Sequence, residues 1–223
     1  MMELYEVMRT TFSAREFTAE PISNRVIYKI LENARFAPSG GNRQAGRVII
    51  IRNEQTRKSL AELCIPGAKR YTAQIKAGET PWNSVNPSTV SSEEIENTEA
   101  PEIFSKPMVD CSVVLVVCAD LEYVASTDQD LERIGVVSGA SIYPFVWNIL
   151  LAARHEGYGG TISTMAVPEE QKIKALLNIP ETFAVCAVIP LGKPVKQLTK
   201  LRRNPVSSFT ALERWGDVPL EEE

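Results

Sequence analysis

Apolar residues along the chain follow two patterns, one with helical spacing and one continuous. Helical spacing predicts helices over 3–12 and 23–36; in the second, Ile22, Val26, Ile30 and Leu31 share one face, and Ser23 is the expected N-cap. Continuous runs predict strands, and their sequences are GRVIIIR from Gly46, DCSVVLVVCAD from Asp110 and FAVCAVIPLG from Phe183. The first run is rich in β-branched residues, so we expect a strand buried on both faces.

Three further helices are expected. Residues 55–64 indicate a short helix, and 168–179 a helix with Pro168 in its first turn. The longest apolar pattern covers 133–157; we expect one central helix there, kinked at Pro144. Because helices and strands alternate with irregular connections, the chain is expected to be α+β, with one domain over 1–223.

Two stretches stand outside this alternation. Residues 65–106 are polar and carry four prolines, which is typical either of a lid-like insertion over a functional cleft or of a tolerated surface insertion. Trp82 within this stretch favours the lid. Residues 193–223 show no clean amphipathic period, so we expect a C-terminal extension that lies over a partner subunit.

Composition narrows the function classes. The chain has 24 basic and 28 acidic residues, a net charge of −4, which argues against nucleic-acid binding. No apolar run reaches the length of a membrane span, and the N-terminus does not resemble a secretory signal. The four cysteines form no C-x-x-C pair, so a reducing cytoplasm is expected. His155 is the only histidine, which excludes a multi-histidine metal site, and its place near a helix end favours contact with terminal carbonyls.

The segment Ala37–Gln44, APSGGNRQ, lies between a predicted helix and a predicted strand. Proline and glycine end helices, so a simple turn accounts for Pro38 and the glycines. It does not require the amides of Asn42 and Gln44, which can each donate and accept hydrogen bonds in one plane. From the residues alone, both the turn and a ligand-binding role stay open.

Taken together, FSAREF, APSGGNRQ, GASIYPFVWNILLAARHEGYGG and the later PLGKP and RRNPV resemble the nitroreductase family of FMN-dependent oxidoreductases in order and spacing. The resemblance covers nearly the whole chain except 65–106. It implies a central mixed or antiparallel sheet flanked by helices, in an intertwined homodimer with FMN in clefts between subunits. It also implies ping-pong chemistry, in which NAD(P)H (NADH or NADPH) passes hydride through FMN N5 to a nitroaromatic, quinone or similar acceptor in the same cleft.

The resemblance also assigns residues. It implies no catalytic side chain and no metal, and it places a phosphate contact at Arg203, a cation beside the flavin ring at Arg15, and backbone near the reactive edge at Thr164. The cofactor-binding residues it implies are Ser13, Arg15, Pro38, Ser39, Gly40, Asn42, Gln44, Ser163, Thr164 and Arg203. The segment 38–44 is expected to come from the partner chain.

Departures from the family pattern keep other functions open. Thr11 and Phe12 stand where the family has arginines, and Ala45 and Gly46 stand where it often has Pro-Trp. A flavin-binding storage or sensor protein with little turnover is therefore one alternative, and a reductive dehalogenase-like enzyme of the same fold is another. For Arg15 the competing interpretation is a surface ion pair with an adjacent glutamate.

Overall fold

A four-stranded antiparallel sheet separates two layers of helices in the computed structural model, which describes residues 2–221. The strands are β1 (Gly46–Ile51), β2 (Val113–Asp120), β3 (Gly159–Gly160) and β4 (Phe183–Gly192), in the order β1-β2-β4-β3. The helices are α1 (Leu4–Thr10), α2 (Asn24–Ala34), α3 (Glu54–Lys76), α4 (Ser92–Glu96), α5 (Lys106–Asp110), α6 (Tyr143–His155) and α7 (Glu170–Leu177). The predicted α+β class is confirmed. Residues 1, 222 and 223 of the predicted domain lie outside the described residues.

Strand β2 is the centre of the core. All eight of its residues are buried, and successive side chains point to opposite faces of the sheet. Leu115 and Val117 pack with α2 and α6 on one face. Val114 and Val116 pack with α3, α5 and α7 on the other. This explains why the sequence of β2 is apolar without alternation.

Strand β1 corrects the expectation of burial on both faces. It pairs with β2 on one side only and forms the edge of the sheet, and the side chain of Ile50 is 45% exposed. A β-branched run signals strand geometry, but it cannot show whether a covering layer comes from the same chain. This edge is therefore an apolar surface of the isolated chain.

Helix α3 corrects the predicted short helix over 55–64. The Asn53 side chain caps it by accepting the N–H of Thr56 at 2.9 Å, and the helix then runs through Pro66 to Lys76. Pro66 removes one helical hydrogen bond, but its ring is exposed. Packing of the buried face, which includes Leu60 and Cys64, holds the helix together across this position. The first part of the predicted insertion over 65–106 is therefore helical, while its role as a lid stays a prediction.

The predicted long helix over 133–157 is also wrong. Helix α6 begins at Tyr143, so Pro144 lies in its first turn, where a missing N–H leaves no bond unmade, and no kink is required. The preceding residues form a loop and a short 3-10 helix, Val137–Ser141. Asp128 holds that loop, because its Oδ2 accepts the N–H groups of Val136 and Val137 at 2.8 and 3.2 Å.

Other local predictions are confirmed. The Ser23 hydroxyl accepts the N–H of Val26 at the start of α2. Pro168 lies in a 3-10 turn, Val167–Glu169, that leads into α7. His155 is in the last turn of α6, as expected, while its contact with the terminal carbonyls stays a prediction. Within residues 2–221, no helix is both long enough and apolar enough to span a lipid bilayer.

Candidate functional site

The loop from Ala37 to Gln44 adopts a rare backbone conformation. Gly41, Asn42 and Gln44 have φ values of 60°, 53° and 50°, in the left-handed region that few non-glycine residues enter. The Ser39 hydroxyl accepts the N–H of Gln44 at 3.0 Å, and the Gly40 N–H donates to Ser141 Oγ at 3.0 Å. Hydrogen bonds at both ends therefore fix this loop in a conformation that non-glycine residues seldom adopt.

The loop also lines an open cavity of about 460 Å³, bounded by Pro38, Ser39 and Gln44 together with arginines of neighbouring segments. The Asn42 side chain is exposed at the tip. Its amide and that of Gln44 can therefore reach a molecule outside the chain. The turn and the presentation of amides, both left open by the sequence, occur in the same eight residues.

A second group of predicted residues lies across the molecule, beside β3 and β4. Ser13 forms a parallel bridge with Gly160, and Ser163 forms an antiparallel bridge with Val188. Arg15 lines a small cavity of about 70 Å³ with Ser163 and Thr164. Within the described chain the Arg15 guanidinium donates one hydrogen bond, to the Ser13 carbonyl oxygen at 3.3 Å, and has no carboxylate partner. The competing ion pair with a neighbouring glutamate is therefore not formed.

Thr164 presents a free backbone donor in this second group. Its carbonyl oxygen accepts the N–H of Val167 at 3.0 Å, but its own N–H meets no acceptor anywhere in residues 2–221. Because Thr164 is exposed and lines the same cavity as Arg15, this N–H is accessible to an acceptor atom of a bound molecule. The sequence prediction placed the reactive edge of a flavin at this position.

The structure does not bring all predicted residues together in one chain. None of the described cavities has walls from both the 37–44 loop and the Arg15–Thr164 group. Arg203 lies in the exposed C-terminal tail, where its Nη1 donates to the carbonyl oxygen of Arg202 at 2.6 Å. The described chain therefore holds two separate groups of predicted residues, and Arg203 lies apart from both in the exposed tail.

Residues near the N-terminal motif show a further cation that sequence reasoning missed. Thr11, which replaces a family arginine, is buried, and its hydroxyl donates to the Val7 carbonyl oxygen at 2.7 Å. Next to it, Arg154 is only 8% exposed, and its Nε donates to Thr10 Oγ1 at 3.0 Å. No carboxylate pairs with Arg154 in the described part of the chain. In the sequence, Arg154 is simply a basic residue in the last turn of an apolar helix, where it can interact favourably with the helix dipole. Nothing in that pattern indicates a role at a binding site.

The four cysteines are buried free thiols. Burial raises the pKa of Cys64 and Cys186 to about 12 and that of Cys118 to about 11. Burial also raises the pKa of Cys111. Because the thiolate is the nucleophile, none of these groups is suited to attack a substrate at neutral pH.

The polar loop after α3 is tied by one carboxylate. Glu79 accepts hydrogen bonds from Ser88 Oγ, from Thr89 Oγ1 and from the Thr89 N–H, at 2.6 to 2.8 Å. These donors lower the pKa of Glu79 from its ordinary 4.5 to about 2. These hydrogen bonds therefore favour the ionised form of Glu79, which holds the loop more strongly than the protonated form.

We expect this loop to be sensitive to acid. The folded pKa lies below the unfolded value, so the contribution of Glu79 is complete above pH 4.5 and is lost as the pH falls toward 2. An NMR titration should show the Glu79 carboxyl and the Thr89 amide shifting together near pH 2, and the Glu79→Gln variant should lose the Thr89 shift. A carboxyl that titrates near 4.5 would contradict the observed bonding.

Two solved structures with a similar fold are of proteins whose descriptions name FMN. An iodotyrosine deiodinase bound to FMN and 3-iodo-L-tyrosine has a TM-score of 0.66 at 20% identity, over 92% of this chain and 96% of that one. An NADPH:FMN oxidoreductase from Vibrio harveyi, complexed with NAD+, has a TM-score of 0.67 at 18% identity, over 96% of this chain and 79% of that one. At these identities the likeness shows the fold.

Sequence comparison identifies the family. The nitroreductase family model matches residues 8–193, and the chain belongs to this family. A relative from Archaeoglobus fulgidus, whose name pairs NADH dehydrogenase with NAD(P)H nitroreductase, is 28% identical over 207 residues, which are 87% of each chain. The resemblance stated from the motifs is confirmed.

Proposed function

We propose that two copies of this chain form a homodimer that binds FMN in two shared clefts and reduces a small electron-poor acceptor with NAD(P)H. The observation that supports this most directly is the division of the site. One copy holds the strained 37–44 loop and the Arg15–Thr164 group in separate places, each with unpaired donors. Two copies related by a twofold axis can complete each site with the loop of the other. An FMN-bound structure of the same fold and the family match agree with the cofactor.

Exposed apolar surface supports the dimer. An open groove of about 610 Å³ lies between α1, α2 and α6, with Leu4, Val7 and Leu151 among its walls. Trp147 on α6 is partly exposed, and Trp215 in the tail has no cover from its own chain. Large apolar groups of this kind mark surfaces that a second subunit covers. The extension from residue 193 onward is proposed to lie over that subunit.

The donor set suits a flavin mononucleotide. Bound FMN supplies the hydride chemistry. Arg15 provides a fixed cation that stabilises negative charge on the ring, and the Thr164 N–H provides a donor at its edge. Asn42 and Gln44 match the alternating donors and acceptors of a flat heterocycle. Arg203 and Ser13 are proposed to hold the phosphate, with Arg154 adding positive charge nearby. The protein itself supplies binding, orientation and charge.

The decisive experiment is an absorption spectrum of the purified protein followed by steady-state oxidation of NADH and NADPH with a nitroaromatic and a quinone. A flavin band with turnover is expected. A flavin band without turnover would favour the storage or sensor function, for which Thr11 and Phe12 in place of arginines are the supporting observation. Absence of binding when FMN is added would overturn the proposal. Release of halide from a halogenated phenol would instead favour a reductive dehalogenase. A reducing cytoplasmic location stays a prediction.

Replacing Arg203 by Ala is expected to weaken FMN binding about tenfold, because one charge-assisted contact to a phosphate dianion is lost. Equilibrium dialysis of FMN against parent and variant measures the change. Arg202→Ala removes the same charge from the neighbouring position and serves as the control. Equal flavin retention by parent and Arg203→Ala would show that the phosphate assignment is wrong.

A further inference from the structure

A second, larger cavity shares the walls Thr164 and Met165 with the cavity beside Arg15. Its volume is about 570 Å³. Its walls are Tyr71, Trp82, Thr164, Met165, Val167 and Pro168. Most of these side chains are apolar, and two are aromatic. Thr164 is the only wall that the sequence assigned to a site, so this cavity extends the proposed flavin site into a space whose use is unassigned.

The aromatic walls are held in place. Trp82 has a φ of 56°, unusual for a residue with a large side chain, and its backbone N–H donates to Oε1 of Gln74 at 3.1 Å. Gln74 is only 2% exposed, so this acceptor is fixed within α3. The Tyr71 ring meets the Phe104 ring edge to face at a centroid distance of 5.3 Å. The rings of Tyr71 and Trp82 therefore form preformed apolar walls of the cavity.

A cation stacks on one of these walls, although it is not itself a wall of the cavity. The guanidinium carbon of Arg70 is 4.1 Å from the centroid of the Trp82 ring, a stacked cation–π arrangement. In the part of the chain that the structure describes, Arg70 has no carboxylate partner and donates no hydrogen bond. Glu79, the acid in the adjoining loop, is occupied by Ser88 and Thr89. The N–H donors of Arg70 are therefore free for an anion.

We propose that this cavity is the acceptor subsite and that it selects a flat aromatic acceptor bearing a carboxylate. The inference rests on the proposed function, since Thr164 forms the shared wall. Trp82 and Tyr71 offer aromatic surface for a ring, and the planar fork of Arg70 matches a carboxylate in two parallel hydrogen bonds. For a nitrobenzoate the net step is ArNO2 + NAD(P)H + H+ giving ArNO + NAD(P)+ + H2O. The nitro group takes up two electrons and two protons, and one oxygen leaves as water.

The test compares two acceptors of similar size, 4-nitrobenzoate and the neutral 4-nitrobenzyl alcohol, with the flavin-loaded enzyme. In the parent, kcat/KM is expected to be higher for the benzoate. In Arg70→Met, the ratio of kcat/KM for benzoate to that for alcohol should fall about tenfold, because a charged hydrogen-bond pair is lost. Lys76→Met removes one charge from the exposed end of the same helix and should leave the ratio unchanged. An unchanged ratio in Arg70→Met would overturn the proposal.

A binding measurement separates this inference from the proposed function. Calorimetric titration with unsubstituted benzoate, which cannot be reduced, should show binding about tenfold weaker in Arg70→Met than in the parent. Trp82→Leu should weaken benzoate binding about fivefold through loss of stacking. If the alcohol turns over but benzoate binds parent and both variants equally, the subsite is wrong while the proposed function stands. If neither acceptor turns over and FMN does not bind, the proposed function fails.

Discussion

A mixed dimer of two inactive variants, Arg15→Glu and Gly41→Val, is expected to recover about half of the wild-type activity. Each substitution damages a different half-site. Arg15→Glu reverses the charge beside the free Thr164 N–H. Gly41→Val places a β-branched residue at φ 60°, which forces the loop out of its left-handed shape and displaces both amides. Each variant alone should have almost no turnover.

The mixed dimer should recover activity because each cleft is proposed to combine the Arg15–Thr164 group of one chain with the 37–44 loop of the other. In the mixed dimer, one cleft combines both damaged halves and the other combines both intact halves, so one of two sites works. Co-expression with two affinity tags isolates the mixed dimer, and NADPH oxidation with a nitroaromatic measures it. The control pairs a wild-type chain with a chain carrying both substitutions. There each cleft receives one damaged half, so activity should be near zero.

The two mixed dimers also give the opposite result if each chain builds its own site. The dimer of single variants would then be inactive, and the dimer with one wild-type chain would keep half of the activity. This outcome would overturn the shared cleft. A failure of the chains to associate, measured by light scattering of the parent, would overturn the dimer itself.

Replacing Gly67 by Ala is expected to lower the free energy of unfolding by about 2 kcal/mol. Gly67 lies within α3, where Ala alone would be favoured by about 1 kcal/mol. A Cβ there would lie 2.2 Å from the Met165 carbonyl oxygen and 3.1 Å from its carbonyl carbon, atoms of a backbone that cannot rotate away. Overpacking of this kind costs about 3 kcal/mol, so the clash outweighs the helix preference.

The same substitution should impair the site. Met165 follows Thr164 directly, so pushing its carbonyl group away moves the free N–H of Thr164. We expect a lower melting temperature by about 6 °C and weaker FMN retention, measured by calorimetry and by dialysis. Gly78→Ala is the control, because nothing lies within 4 Å of its Cβ and only the positive φ adds strain, about 1 kcal/mol. It should leave FMN retention unchanged. If Gly67→Ala retained FMN and resisted unfolding as well as the parent protein does, α3 and Met165 would have to move apart without cost, and the prediction would be wrong.

Local signals were enough to predict much of the fold. The capped helix α2 and the fully buried strand β2 each have a clear pattern, and the structure places both within three residues of the expected bounds. Errors occurred where distant residues decide the outcome. Pro66 favours a helix end, but packing of the buried face of α3 carries the helix past it. Residues 133–142 have helical spacing, but Asp128 takes the N–H groups of Val136 and Val137 out of a helical pattern.

The candidate site likewise has parts that local sequence predicts and parts that depend on residues far apart in the chain. The residues of the 37–44 loop and Arg15 could be predicted because they occur in short motifs that resemble a family. The cavity beside Thr164 could not, because its walls come from α3, from the following loop and from the turn before α7. The close approach of α3 to Met165 and the contacts of Trp82 with Gln74 and Arg70 bring these segments together. Trp82 was the single visible signal, as an aromatic residue in a polar stretch.

The inaccessibility of all four native sulfhydryls makes the chain convenient for probe attachment. Maleimide dyes react with ionised sulfur, and Cys64, Cys118 and Cys186 keep their protons until about pH 11 to 12. A cysteine introduced on the exposed tail would therefore be modified selectively, with no need to delete the natural ones. Energy transfer between dyes on two copies could then report how far the tail of one lies from the body of the other.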